Sequence, residues 1–416
     1  MRAALLWTIN DFPAYGMLSG WSTHGRLACP HCMDHTKSFQ LRYGWKSSWF
    51  DCHRWFLSID HPFRRNKKAF RKGEVETDMP LPKLTGSHVW RRVKDLPKVT
   101  ECGHNRIEGF GEWHNWTKRS IFWDLPYWKD NLLRHNLDVM HIEENFFDNV
   151  FNTVMNVIGK TKDNDKARKD LPLYCGRKDL ELKAQANDRL FKPKANYTLS
   201  KDEARIVYGW IKELRMPDGY SSNLSRCANV QNVTIQGLKS HDCHVFMETF
   251  IPIVFSCLPT HVLNPLMEIS NFFKDLCCTT LKENSLRKIE ENIPIILCKL
   301  ERIFPPAFFD SMEHLPIYLA YESWLGGPVQ YRWMYPFERF MGESKLSVKN
   351  KARVEGSICA AYLHRETTYF CSHYFKKFML SPINVRNEMQ WQDELCEGKL
   401  LVFQQSGRHV GKGFTH

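Results

Sequence analysis

The stretch that most constrains what this chain can fold into is its opening, Arg2 to Cys32, RAALLWTINDFPAYGMLSGWSTHGRLACPHC. Leu5, Leu6, Trp7 and Ile9 form a short apolar run of strand-compatible residues, and Asn10, Pro13 and Gly16 break it at once. The strand therefore ends on a carboxylate, Asp11. An aspartate there can open a turn, as Asn, Asp and Pro commonly do. It can also hold Mg2+ or Mn2+ over a phosphate, because hard cations take oxygen ligands. Cys29 and Cys32 follow in C-x-x-C spacing, which lets two sulfurs reach one zinc ion from a tight turn. Structural zinc needs four ligands, and His135 and His141 are the distant partners expected. His31, His35, Cys52 and His53 stand as alternatives.

The charge balance narrows the partner. Fifty-eight Lys and Arg against 46 Asp and Glu give a net charge of +12, which favours a polyanion and non-specific phosphate contacts. No apolar run approaches the ~18 residues that would span a bilayer, and the N-terminus lacks the features of a secretory signal. A soluble, intracellular protein without a membrane partner is expected. The 14 Cys are scattered and read as buried thiols, with only CPHC spaced as ligands.

Further along, residues 36–75 mix aromatics with a basic run, Arg64, Arg65, Lys67, Lys68, Arg71 and Lys72, expected to stay wet as a surface face, a phosphate patch or a nuclear import signal. Ile121 to Trp128, IFWDLPYW, reads as a strand or extended segment, since Pro126 excludes a central helix. Ile142, Phe146, Val150 and Met155 recur at helical spacing. Residues 160–200 are dominated by charge and read as a surface helix pair or linker, and residues 238–326 as an all-α segment.

Several words in this chain, WTINDFPAYGMLSGW, CPHC, FDCHRWFLSIDHPFR and HNLDVMHIEENFFDNV, resemble the transposase of CACTA (En/Spm-like) DNA transposons of plants. LKSHDCHVFMETFIPI, PLMEISNFFKDLC and MYPFERFMGESKLSVKNKARVEGSI resemble the uncharacterised domain that usually follows it. The resemblance covers roughly residues 1 to 375. It implies a mixed α/β and α fold: a truncated RNase H-like α/β core with a large α-helical insertion or a second α-helical domain. The expected divisions are a partial core with a zinc knuckle at 1–158, a charged helical linker at 159–236, an α-helical domain at 237–380 and a tail at 381–416.

The same resemblance implies metal-dependent DNA cleavage and strand transfer at terminal inverted repeats, in the nucleus, by three carboxylates holding two Mg2+ or Mn2+ ions. Asp11 matches the second acid. For the third, Glu338 is favoured because FERF opens a helix after a long helical stretch, with Glu143 and Glu144 as rivals. In the family the catalytic domain begins upstream of the position of Met1 and carries the first aspartate there. The expectation is an incomplete core, unless Asp51 or Asp124 substitutes. A cysteine pair with a later histidine pair is similar to the zinc arrangement of RNase H-like transposases, including the vertebrate antigen-receptor recombinase. Asp138, in D-x-x-H spacing with His141, is then expected to orient that ligand or to cap a helix. Arg339, Lys345, Lys349, Lys351 and Arg353 are expected on one helix along a DNA backbone. The implied partners are transposon-end DNA, a second copy of the chain or a second transposon-encoded protein. The alternative function is a zinc-stabilised interaction scaffold without DNA chemistry.

Overall fold

The computed structural model describes residues 3–70, 73–98, 107–185, 190–217 and 223–374. The fold is mixed α/β and dominated by helices, and each of its sheets has two strands among the described residues. Strand β1 (Thr8–Asn10) leads into α1 (Phe12–Ser19), which Asp11 caps and Pro13 helps to start. Gly20 ends this helix at φ +85°, where a Cβ would meet the Lys118 carbonyl oxygen at 2.3 Å, so only glycine fits. A largely irregular region follows, interrupted by α2 (Gly86–Val93). Its small core joins Trp21, Leu27, Met33, Val89, Val93, Trp116, Trp123 and Trp128.

Strand β2 (His135–Leu137) then pairs with β1 in parallel, Thr8 opposite His135 and Asn10 opposite Leu137. Helix α3 (Val139–Val154) leaves the end of β2 and buries Ile142, Phe146 and Val150, as the periodicity predicts, together with Phe147 and Phe151. Next come α4 (Asp165–Tyr174), α5 (Lys201–Glu213) and α6 (Ser240–Val245). A wider π-helical turn, Phe246–Phe250, continues α6. Its cause is local: Pro252 has no N–H for the Glu248 carbonyl, and its ring crowds that oxygen. Helices α7 (Thr260–Leu276), α8 (Glu283–Glu301) and α9 (Pro316–Gly326) complete the main core. There Phe146 meets Phe273 edge-on at 5.8 Å and Phe147 lies 5.1 Å from Phe246.

One compact unit takes residues 1–216 and 221–334, and a second takes 217–220 and the residues from Tyr335 on. The second contains α10 (Tyr335–Leu346) and α11 (Val354–Tyr374), joined by a Glu343 to Arg365 contact of 3.5 Å and by Phe340 edge-on to Tyr362. The described residues of 159–216 and 223–326 thus share a unit with the opening strand. The 381–416 tail lies outside the described residues.

Three local expectations need correction. Ile121–Asp124 forms a 3-10 turn rather than a strand, because Trp123 and Trp128 must both turn into the small core. Residues 160–200 do not lie wholly at the surface. Arg168 and Asp163 make a buried ion pair there, and Leu171, Leu180 and Tyr197 join the main core. Nor is the basic run wholly wet. Arg64 is fully buried, donating to the carbonyls of Leu57, Trp55, Glu76 and Asp78 at 2.8–3.2 Å. Arg65, Lys67 and Lys68 are exposed as expected, and Arg71 and Lys72 lie outside the described residues.

Candidate metal and carboxylate sites

The two parallel strands end on aspartates side by side, since the Asp138 N–H donates to the Asn10 carbonyl at 2.8 Å. Their side chains differ in use. Asp11 is half-buried, and its Oδ1 accepts the Ala14 N–H at 2.7 Å, closing the first turn of α1. Asp138 is buried and accepts the Met334 N–H at 3.1 Å. Three residues on, His141 bonds instead with Asn145, whose Nδ2 reaches the His141 carbonyl at 2.7 Å.

The cysteine pair forms a knuckle, with the Cys32 N–H directed at Cys29 Sγ at 3.3 Å. The imidazole beside it belongs to His314. Donor atoms of Cys29, Cys32 and His314 all lie within 4.8 Å of one another, with Cys32 Sγ 3.4 Å from His314 Nε2. His314 ends a short turn, Ser311–His314, capped by Asp310. One helical turn on, Tyr318 places its hydroxyl 2.8 Å from Cys32 Sγ, 3.8 Å from Cys29 Sγ and 3.2 Å from His314 Nε2. Two sulfurs and one imidazole are donor types that zinc takes, and the Tyr318 hydroxyl lies beside all three. Burial pushes the Cys29 thiol up, but hydrogen bonding from Cys32 and the charge of His314 outweigh it and hold the thiol well below its ordinary value. Cys32 is pushed the other way, by its bond to Cys29 and by burial. The thiolate, the form that ligates metal, is thus favoured at Cys29 over Cys32.

The remaining sequence candidates are placed as follows. His135 turns Nδ1 to Thr8 Oγ1 at 2.8 Å under Tyr15 and Trp128, and burial holds its pKa down at about 3. Neither His135 nor His141 joins a metal-type grouping among the described residues. His31 stacks on Tyr318 at 4.1 Å and lies 3.4 Å from Glu322, while His35 is exposed beside Asp34. Cys52 faces the other nitrogen of His314 at 3.8 Å. His53 meets Glu301 at 2.6 Å; burial raises that carboxyl to about 8 and lowers the imidazole to about 3, so the contact joins two neutral groups.

Among the acids, Glu143 bonds His244, and Glu144 accepts from Ser240 at 2.7 Å. Asp51 pairs with Arg54, and Asp124 with Lys98 at 2.6 Å. Glu338 lies exposed in the first turn of α10, where a carboxylate suits the helix dipole. Of the five basic residues beyond it, only Arg339 and Lys345 lie on α10. Lys349, Lys351 and Arg353 occupy the connection to α11, because the helix stops at Leu346. All five are exposed.

The residue that the sequence argument missed is His314. Its one sequence signal is the i, i+4 spacing to Tyr318, which sets both side chains on one face.

Comparison with known families locates this geometry. Residues 1–96 match the family described as Transposase family tnp2, and residues 276–388 match a domain of unknown function, DUF4218. No curated protein and no solved structure matches the chain. The first match contains Asp11 and the cysteine knuckle, the second contains His314, Tyr318 and Glu338, and together they make this chain a transposase-related protein.

Proposed function

We propose that this transposon-derived chain is a nuclear, DNA-associated protein of the CACTA (En/Spm-like) type from a plant, with an RNase H-like ancestry. The observation that carries the proposal is the parallel pairing of β1 with β2, which delivers Asp11 to the carboxyl end of a strand with its carboxylate half-exposed. Asp11 then serves as one metal-binding acid and Glu338 as another. Two-metal phosphoryl chemistry draws on a third. Asp51 and Asp124, the candidate replacements for it, pair with Arg54 and Lys98, so the expected behaviour of the chain alone is DNA binding without cleavage. Cys29, Cys32 and His314 would hold zinc, whose contribution is structural, fixing the loop after α1 against the turn that precedes α9. Arg339, Lys345, Lys349, Lys351 and Arg353 supply phosphate contacts that position a duplex without reading it.

The test combines two assays on the full chain with transposon-end DNA. Binding is expected to weaken steeply as salt rises, with no Mg2+- or Mn2+-dependent cleavage. Asp11-dependent cutting, lost in Asp11→Ala, would replace the incomplete core with a working nuclease. Absence of salt-sensitive binding would leave the second reading, a zinc-stabilised interaction scaffold. That reading is favoured by the exposed apolar side chains of Phe340, Leu346, Leu363 and Phe370 on α10 and α11.

A further inference from the structure

A second grouping of metal-type donors lies within the helical core, built by three separate helices. Glu143 comes from α3, His244 from α6, and Cys277 from the residue that ends α7. One donor atom from each lies within 4.8 Å of the other two. Glu143 and Cys277 are buried, at 1% and 5% exposure. On the other side of the imidazole, the π-helical turn carries Glu248, whose Oε1 lies 3.6 Å from His244 Nε2.

Two further observations point to a ligand. The first is an unmet polar atom. Glu143 Oε2 bonds His244 Nδ1 at 2.6 Å, while its Oε1 is buried without a hydrogen-bond partner. A buried carboxylate oxygen left so is costly and calls for a cation or a donor. The second is the wider turn itself. Single π-helical turns inside α-helices are rare and recur at functional sites, and this one carries Glu248. His244 has a carboxylate on each ring nitrogen, so an ion on either nitrogen meets an anionic oxygen at once. Trp333 closes over the imidazole edge-on at 5.7 Å.

We propose that Glu143, His244 and Cys277 form a second zinc site, separate from the cysteine knuckle. One sulfur, one imidazole nitrogen and one carboxylate oxygen supply three of zinc's four positions, leave the fourth to water, and suit its borderline softness. The ion ties α3, α6 and α7 together at the centre of the main core. The site does not depend on the proposed DNA chemistry.

The experiment is zinc analysis of the full chain, purified without chelator, beside single variants. The expected result is two equivalents of zinc, falling to one in Cys277→Ser and to one in Cys29→Ser. Cobalt loading then separates the sites. Cys29→Ser protein retains a thiolate-to-cobalt charge-transfer band, and the added Cys277→Ser substitution abolishes that part of it. If Cys277→Ser fails to fold, Glu143→Gln replaces it, with loss of the same equivalent expected. An unchanged zinc content in the folded Cys277→Ser or Glu143→Gln protein would overturn the site. So would a cobalt spectrum of Cys29→Ser that Cys277→Ser leaves unaltered.

Discussion

The irregular region between α1 and β2 and the mainly helical span from α3 to α9 solve one problem in opposite ways. Every buried backbone N–H and C=O needs a partner. In the helices that partner is four residues away, so side chains are free to be apolar, and Phe246, Ile269, Phe273 and Leu297 are fully buried. The irregular region lacks such ladders, and polar side chains take their place. Arg64 serves four carbonyls, Arg54 reaches that of Glu74 at 3.1 Å, and Trp21 Nε1 donates to Leu27 at 2.9 Å. Buried cations there act as staples for the main chain. A basic residue in a loop-rich stretch is therefore no guide to a wet surface.

Four substitutions test this contrast, beginning with the largest effect. Phe146→Ala empties a fully buried ring site on the helical side and is expected to cost about 3–5 kcal/mol in chemical denaturation. Arg64→Met keeps the apolar stem but strands several carbonyls, and about 3 kcal/mol is expected in the same measurement. A loss below about 1 kcal/mol would erase the distinction between the regions. Ser200→Ala breaks the capping box of α5 for about 1 kcal/mol. This cap also carries a pH signature. Hydrogen bonds from Ser200, then Lys194, hold Glu203 down at about 2 against an ordinary 4.5. Its contribution is complete above pH 4.5 and disappears as the pH falls towards 2, and acid titration of Ser200→Ala should show a smaller component, since the backbone N–H at 200 and Lys194 still hold Glu203. Finally, Arg65→Ala, one residue from the staple but exposed beside Asp60, should change stability by less than about 0.5 kcal/mol.

The same contrast explains what could be read from the sequence. Ile142, Phe146 and Val150 announce α3 because an amphipathic helix writes its burial into a local period. Asp11 was legible as a strand-ending residue from its neighbours alone. Arg64 was not, since nothing local distinguishes a guanidinium aimed at carbonyls from one aimed at water. His314 was hidden for a different reason: its partner Cys32 lies 282 positions away, and the 18 histidines offer many pairings of equal merit on spacing. Arg168 and Asp163 sit in a stretch whose charge suggests solvent, yet their mutual pairing is what permits burial.

The separation of Cys32 from His314 also sets a timetable for biosynthesis. At ~5–20 residues per second, a ribosome needs about 15–60 s to travel from the first of these codons to the second. β1 likewise waits for β2, 127 positions on. Through that interval the nascent knuckle offers bare thiols, and the early strand offers an unmatched edge, to chaperones, oxidants and neighbouring chains. The yield of correctly assembled molecules should accordingly respond to elongation speed and cellular redox state more than to the final strength of the fold.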